Sequence, residues 1–384
     1  MKITKTYRPR ISGPESPRNY IILMDGTWND EYGIDGDGLT TNIVKLNKSL
    51  SRDSQNQITR YYRGVGNDND HNKLGVLLGG AFGKREKAIR NNAYSRLAKE
   101  YQPGDNIYIF GFSRGAASAR MLAAQIHEMG IPQEIVITTE AVSDRETNNV
   151  ENRFVKFEAD FSQSRKVNIC FLGVWDTVGA FGIPVNFLGI PFQSWNLFKN
   201  MDVAGNVQKA VHLVAADETR DAFSPTLMNH RPGVIEEIWM PGVHSDVGGS
   251  YAEDQLAKHS LYVMIQKIKA NCIDKGLPPL QFEKETLANY TSHEITKGVF
   301  HFHGLGSKKS IRRIHCLKNN KKVGPEEQLP IIHKSFFALQ KSRENYSLVH
   351  RSSWFGEDKK LELPILYNPA NLKYLRKKYE VDET

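Results

Sequence analysis

The stretch Ile107–Ala116, IYIFGFSRGA, constrains this chain more than any other part of it. A β-branched and aromatic run ends in Gly111-Phe112-Ser113-Arg114-Gly115, and an alanine-rich segment follows at once. A serine between two glycines at a strand-to-helix junction predicts a nucleophile elbow. Gly111 and Gly115 let the backbone turn sharply, and the Ser113 hydroxyl then projects above the sheet at a helix N-terminus. That end of the helix dipole favours developing negative charge. Such a junction belongs to a parallel sheet, so the rest of the chain should alternate strands with helices.

The pattern is there. Strands are predicted at Tyr20–Met24, Ile58–Tyr62, Asn106–Phe110, Val167–Trp175, Val211–Ala215 and Ile235–Met240, each a short apolar run ending at a polar or glycine-rich loop. One helix is predicted over Lys84–Tyr101, with Ile89, Ala93 and Leu97 on one stripe, and a second over Ala116–Met129, stopped by Gly130 and Pro132. A third runs from Gln255 to about Ile273, with Leu261, Ile265, Ile268 and Cys272 on one face before Gly276. The fold class is therefore α/β, a mostly parallel sheet with helices on both faces and a basic C-terminal extension. Residues 1–19 read as an N-terminal arm, 20–276 as the catalytic domain and 277–384 as a region packed on it or capping it. The polar, poorly periodic segment 132–165 reads as an insertion at the sheet's edge. Asn368 and Pro369 look like the cap and first turn of a basic helix to about Glu380.

Composition narrows the function classes. Of the 384 residues 40% are hydrophobic and 24% charged, which fits a soluble globular protein, and nowhere do 18 apolar residues run together. The first twenty residues are basic without an apolar stretch, so no Sec signal is expected and the chain should be made and folded in the cytoplasm. Cys170, Cys272 and Cys316 form no CxxC or Cys/His spacing, which argues against a disulfide framework or a zinc site. No cofactor or metal is expected. Residues 1–300 carry as many acidic as basic side chains, so the net charge of +8 resides in 301–384. Its clusters are Lys308, Lys309, Arg312 and Arg313, then Lys318, Lys321 and Lys322, then Lys373, Arg376, Lys377 and Lys378. They read either as a solvated surface or as a face that attracts anions, phospholipid headgroups rather than nucleic acid.

A serine needs a base, and the base needs an acid to fix its tautomer, so an Asp and a His should follow Ser113 in that order. VNICFLGVWDTV, Val167–Val178, delivers Asp176 to a strand end, and IEEIWMPGVHSDVGG, Ile235–Gly249, delivers His244 to another. Ligands bind at the carboxyl ends of such strands, where all three fall. Asp217 in VHLVAADETR is the alternative acid, although Arg220 offers it a structural salt bridge. Among other histidines, His212 lies inside a strand and reads as core packing. The oxyanion needs two backbone donors: Arg114, and Gly26 or Thr27 from the loop DGTWN. Asp25 and Asp246 could brace the site or hold a cation, or simply bond within their loops. Two phosphate readings fail. A DxDGT nucleophile would sit at Leu23, and a P-loop glycine would sit at Leu78. The loop 178–198 carries Phe181, Phe187, Leu188, Phe192 and Trp195 among glycines and prolines, and reads as a lid or acyl-chain wall, or else as core.

The motifs LMDGTWND, RYYRGVGND, IYIFGFSRGAASAR, GVWDTVGAFG, VAADETR and MPGVHSDVGGSY, in this order between Tyr20 and Tyr251, resemble an uncharacterised α/β-hydrolase family. That family includes the type VI secretion phospholipase effectors of lipase family one. The resemblance implies an α/β-hydrolase fold and a phospholipase A activity delivered into rival bacteria. It implies partners in the secretion apparatus and an immunity protein, with a phospholipid or membrane surface as target and no nucleic acid. It puts the nucleophile on Ser113, the acid on Asp176 and the base on His244. Two alternatives stand beside it: a cytoplasmic carboxylesterase or thioesterase acting on a soluble acyl substrate, and a non-catalytic membrane-binding protein on a hydrolase fold.

Overall fold

The computed structural model describes residues 2–9, 13, 17–26, 38–52, 55–64, 81–143, 150–179, 202–220, 223–293, 295, 298–303, 312–341, 346–351, 358–361, 372, 375 and 378–384. The elements run β1 (Lys2–Tyr7), β2 (Asn19–Met24), α1 (Asn42–Ser49), β3 (Gln57–Tyr62), α2 (Ala81–Glu100), β4 (Asn106–Phe112), α3 (Arg114–Met129), β5 (Ile135–Ser143), β6 (Val150–Ala159) and β7 (Ile169–Trp175). There follow β8 (Ala210–Ala215), β9 (Ile235–Met240), α4 (His244–Gly248), α5 (Gln255–Lys275), α6 (Lys284–Tyr290), β10 (Gly298–His303), β11 (Cys316–Lys318) and β12 (Lys321–Val323). The last are β13 (Ile331–His333), α7 (Ser335–Lys341), β14 (Tyr346–Arg351), β15 (Asp358–Leu361) and β16 (Glu380–Asp382).

Eight strands form the central sheet in the order β3-β2-β4-β7-β8-β9-β13-β16, and every neighbouring pair is parallel. The chain starts inside the sheet at β2, steps to the edge at β3, and returns on the other side of β2 at β4. The direction of winding therefore reverses between β2 and β4, and the crevice above that reversal is where open α/β sheets bind ligands.

Both faces are covered, which is why β2, β4, β7 and β8 are buried at every residue and read as unbroken apolar runs. Alternate side chains go to opposite faces. Tyr20, Ile22, Ile107 and Ile109 pack with Leu97 of α2 and Leu122 and Ile126 of α3, while Ile21, Leu23, Tyr108 and Phe110 pack with Leu46 of α1 and Leu261 and Ile265 of α5. Ala116, Ala119 and Ala123 are fully buried, so α3 sits close to the sheet. Fully burying each large apolar side chain contributes about 1.5–3 kcal/mol.

Within the segment 132–165, read as an insertion, β5 and β6 form an antiparallel hairpin, and β1 from the N-terminal arm adds to it as a third strand. Ile135, Ile137 and Phe157 of the hairpin belong to the same core as Tyr94 of α2, so its apolar residues serve a local sheet whose other face is wet, a weaker pattern than that of a buried strand. The chain beyond Gly276 adds β13 and β16 to the central sheet, and Ile314, Leu317, Ile332, Phe336 and Leu375 share a core with Val214, Trp239 and Leu256. The basic helix expected to reach Glu380 does not extend there, because Glu380 opens β16 and pairs with Ile331. Asn368 and Pro369 lie outside the described residues.

Candidate active site

β4 ends at Phe112 and α3 opens at Arg114, which leaves Ser113 as the single residue of the turn. Its φ of 57° and ψ of −123° lie in a region that costs a non-glycine residue on the order of 1–3 kcal/mol. The two flanking glycines are required by contact: a Cβ on Gly115 would stand 2.3 Å from the carbonyl oxygens of both Met24 and Asp25, and one on Gly111 would stand 2.5 Å from the Gly115 carbonyl. The elbow is stitched to the next strand, since Ser113 N donates to Trp175 O at 3.1 Å and Val178 N donates to Ser113 O at 3.3 Å.

Asp176 follows Trp175 with a φ of 34° and is fully buried. Its Oδ2 lies 2.6 Å from His244 Nδ1, and its Oδ1 accepts from Ala215 N at 3.0 Å. Arg312 holds the same carboxylate with a fork, Nη1 to Oδ1 at 2.7 Å and Nη2 to Oδ2 at 3.0 Å. Burial pushes the Asp176 pKa up, but the Arg312 charge and the His244 hydrogen bond outweigh it, so the group stays well below the usual carboxylate range.

His244 opens α4 directly after β9 and its turn. Its ring stacks on Phe112 at 4.6 Å between centroids and meets the edge of Phe223 at 4.8 Å. Since Phe112 precedes Ser113, the stacking sets the imidazole beside the elbow. Burial is the largest influence on the ring and lowers its pKa below the ordinary histidine value, with Asp176 offsetting part of the effect. The ring is therefore a neutral imidazole at neutral pH, and with Nδ1–H donated to Asp176 its Nε2 is the basic nitrogen.

Further groups fix that histidine. Glu218 accepts from His244 N at 3.2 Å and from Arg220 Nη2 at 2.7 Å, and the Arg220 guanidinium lies 3.7 Å over the Phe223 ring. Burial pushes the Glu218 pKa up, yet the Arg220 hydrogen bond and charge bring it down to about 2. The salt bridge expected between Arg220 and Asp217 is thus made with Glu218, whose carboxylate Arg220 reaches along the same turn. Asp217 accepts from Gly242 N at 2.7 Å, bracing the turn before His244, while the carboxylate on His244 Nδ1 is that of Asp176. Asp246 accepts from Val243 N at 3.0 Å and caps α4. His212 is more than core packing: its Nε2 accepts from Thr177 N at 3.0 Å and its Nδ1 lies 2.8 Å from Glu237, pinning the residue after Asp176.

On the other side of the crevice, the Asp25 carboxylate accepts from Thr41 Oγ1 at 2.9 Å, from Tyr61 Oη at 2.8 Å and from Gly26 N at 2.7 Å. The Gly26 N–H expected to serve an oxyanion is therefore turned to Asp25. Thr27 and the lid residues Phe181, Phe187, Leu188, Phe192 and Trp195 lie outside the described residues. Among the described residues, no group of three His, Cys, Asp or Glu side chains is placed to hold a metal ion.

Arg312 is the site residue that sequence reasoning missed. It was expected on a basic surface, yet it is 8% exposed, and it also donates to Ala215 O at 2.6 Å and to Phe223 O. The sequence IRRI does not separate the two arginines, and only the structure shows Arg312 and Ile314 buried with Arg313 between them exposed. Lys318, Lys321 and Lys322 are exposed as expected, and Lys308, Lys309, Lys373, Arg376 and Lys377 lie outside the described residues.

The strained Ser113 turn, the buried Asp176–His244 pair and the reversal of the parallel sheet come together at the carboxyl ends of the strands, where open α/β sheets bind ligands. The family described as "T6SS, Phospholipase effector Tle1-like, catalytic domain" matches residues 18–267, and the chain belongs to that family. It is 30% identical over 245 residues to "Uncharacterized protein YEL023C" of Saccharomyces cerevisiae (strain ATCC 204508 / S288c), over 58% of this chain and 34% of that protein. The chain thus spans about a third of that relative's length. Among solved structures it is similar to an uncharacterized protein from Pseudomonas aeruginosa, with 20% identity, a TM-score of 0.41, and coverage of 72% of this chain and 49% of the other. It is similar also to a Tle1 effector bound to the VgrG spike from the type 6 secretion system, with 20% identity, a TM-score of 0.36, and coverage of 63% and 53%.

Proposed function

We propose that this protein is a serine hydrolase that cleaves acyl esters of phospholipids, a phospholipase A type of activity, and that it acts as a type VI secretion effector. The observation that carries this reading is the 2.6 Å contact between His244 Nδ1 and Asp176 beside the strained Ser113 turn. His244 Nε2 takes the proton as Ser113 Oγ attacks the ester carbonyl. The carbonyl oxygen becomes an oxyanion at the N-terminus of α3, which Arg114 opens and where the helix dipole favours negative charge. Thr27 N–H is the second donor in this reading. Collapse of the tetrahedral intermediate breaks the ester C–O bond, and the proton on Nε2 passes to the departing lysophospholipid oxygen. Water then attacks the acyl-enzyme with the same base, releasing fatty acid and restoring Ser113.

The family supports the lipid substrate and the delivery route, with the secretion apparatus as a partner; an immunity protein would be a further partner of such an effector. The hairpin β11–β12 offers exposed Lys318, Lys321 and Lys322 to anionic headgroups. The test is fatty-acid release from vesicles of mixed anionic and zwitterionic phospholipid by the native protein and by folded Ser113→Ala. Release lost in the variant supports a lipolytic serine hydrolase. Phosphonate labelling of Ser113 without release points to a soluble ester, and absence of both overturns the enzyme reading.

A further inference from the structure

We propose that Arg312, contributed by the chain beyond the family-matched catalytic segment, is a positioning residue of this active site: it fixes Asp176 and sets the proton affinity of the Asp176–His244 pair. The inference rests on the hydrolase reading for its kinetic consequences and on geometry for the rest.

Asp176 is fully buried, and without a cation its carboxylate would be held only by the His244 contact and the Ala215 N–H. An acid free to turn would meet the Nδ1–H of His244 in no fixed plane, so the imidazole would lose its orientation. The Arg312 fork removes that difficulty, because two parallel N–H bonds fix the plane of the carboxylate as well as its charge. The same guanidinium donates to Ala215 O, at the end of β8, and to Phe223 O, whose ring lies on His244. One side chain therefore joins the acid, the neighbouring strand end and the wall of the histidine pocket. Residues 18–267 match the family, and Arg312 lies 45 positions beyond, by the difference of 312 and 267. That segment without its C-terminal partner is an incomplete site.

The cation also has a cost for catalysis. As His244 gains a proton, the stabilisation it draws from Asp176 is weakened by the positive charge already on that carboxylate. Without Arg312 the pair binds its proton more tightly, so its titration moves to higher pH. The other charged groups facing the ring are Glu218 and Arg220, from the turn after β8, and neither is altered by the substitution. Asp217 and Asp246 brace the turns on either side of it.

The experiment follows the His244 ring by NMR titration in the full chain, and measures hydrolysis of a soluble chromogenic ester against pH, for native protein, Arg312→Ala, Arg312→Lys and the exposed neighbour Arg313→Ala. Thermal unfolding checks each variant for folding. Arg312→Ala is expected to raise the His244 titration midpoint and to move the acid limb of kcat upward with it. Its kcat at the optimum should fall by about 10- to 100-fold with little change in KM. Arg312→Lys keeps the charge and loses the fork, so its midpoint should stay near the native one while kcat is intermediate. Arg313→Ala should behave as native. An unmoved His244 midpoint in folded Arg312→Ala overturns the inference, whether or not the ester is cleaved. Should that variant not fold, a native kcat in Arg312→Lys does the same. A chain that shows the shift but cleaves no ester in any form would overturn the hydrolase reading and leave the electrostatic role of Arg312 standing.

Discussion

Ser113 occupies a backbone conformation that suits glycine and is kept there by its neighbours. Ser113→Gly should therefore raise stability by about 1 kcal/mol in denaturant unfolding while ester hydrolysis disappears. Gly115→Ala should act in the opposite sense, because its Cβ meets backbone atoms that cannot swing aside. A loss of about 2–4 kcal/mol is expected, and a native midpoint would mean that β2 and α3 are less tightly apposed than described. The pH dependence follows from His244. Its folded pKa lies below the ordinary value of about 6.5, so the base stays neutral into mildly acidic solution. The acid limb of kcat/KM should then have its midpoint below pH ~6.5, and a limb at or above that value would contradict the burial of the ring. Ser113, Asp176 and His244 were proposed from sequence because each ends an apolar strand run, whereas the contact of Asp176 rather than Asp217 with His244 needed the structure. Arg312 was not, since its contact with Asp176 spans 136 residues and a buried arginine looks, in sequence, like any exposed one.

At the scale of elements, the central strands were readable because burial on both faces leaves unbroken runs of Ile, Val, Leu and aromatic residues. The two strands at the C-terminal edge were not. β13 and β16 have three residues each, too short for any period to emerge, and they are recruited by pairing with an existing edge. Lys267 of α5 fastens this edge by bridging Glu236 of β9, at 2.9 Å, and Asp382 of β16. Removing the chain after Gly276 would strip β13 from β9 and uncover Trp239, which is 1% exposed in the intact fold. An apolar unpaired edge is an aggregation site, so a 1–276 fragment should be largely insoluble or oligomeric by size-exclusion chromatography. A monodisperse, active fragment would show that the C-terminal strands are dispensable.

For the molecule as a whole, acid is the expected weakness. His259 of α5 and His333 of β13 are both buried, with ring centroids 5.0 Å apart; their hydrogen bonds run to Ser292 O and to Ser335 Oγ and Thr384 O, and Asp382 offsets part of the burial effect at His333. Burial brings the His259 pKa down to about 4, and burial with the His259 charge lowers that of His333. The unfolded chain therefore binds protons first as pH falls. Stability is complete above pH ~6.5 and drops between there and about 4, by roughly 3 kcal/mol for His259 alone. Below that range Asp176 and Glu218, whose folded pKa values are depressed, add to the loss. Thermal midpoints from pH 7 to 4 should fall steadily, and His259→Phe should flatten the upper part of the curve; an unchanged slope in that variant would move the acid sensitivity elsewhere.

By itself the sequence determined the parallel sheet, its two covering layers and the three residues at its strand ends, because these depend on short-range periodicity and on glycines that permit one particular turn. The tertiary structure alone decided which carboxylate meets His244, that Arg220 pairs with Glu218, and that the basic C-terminal region gives one arginine to Asp176. Those contacts are set by which strand ends become neighbours in the sheet. The order of neighbours emerges from packing the whole chain, and no local pattern encodes it.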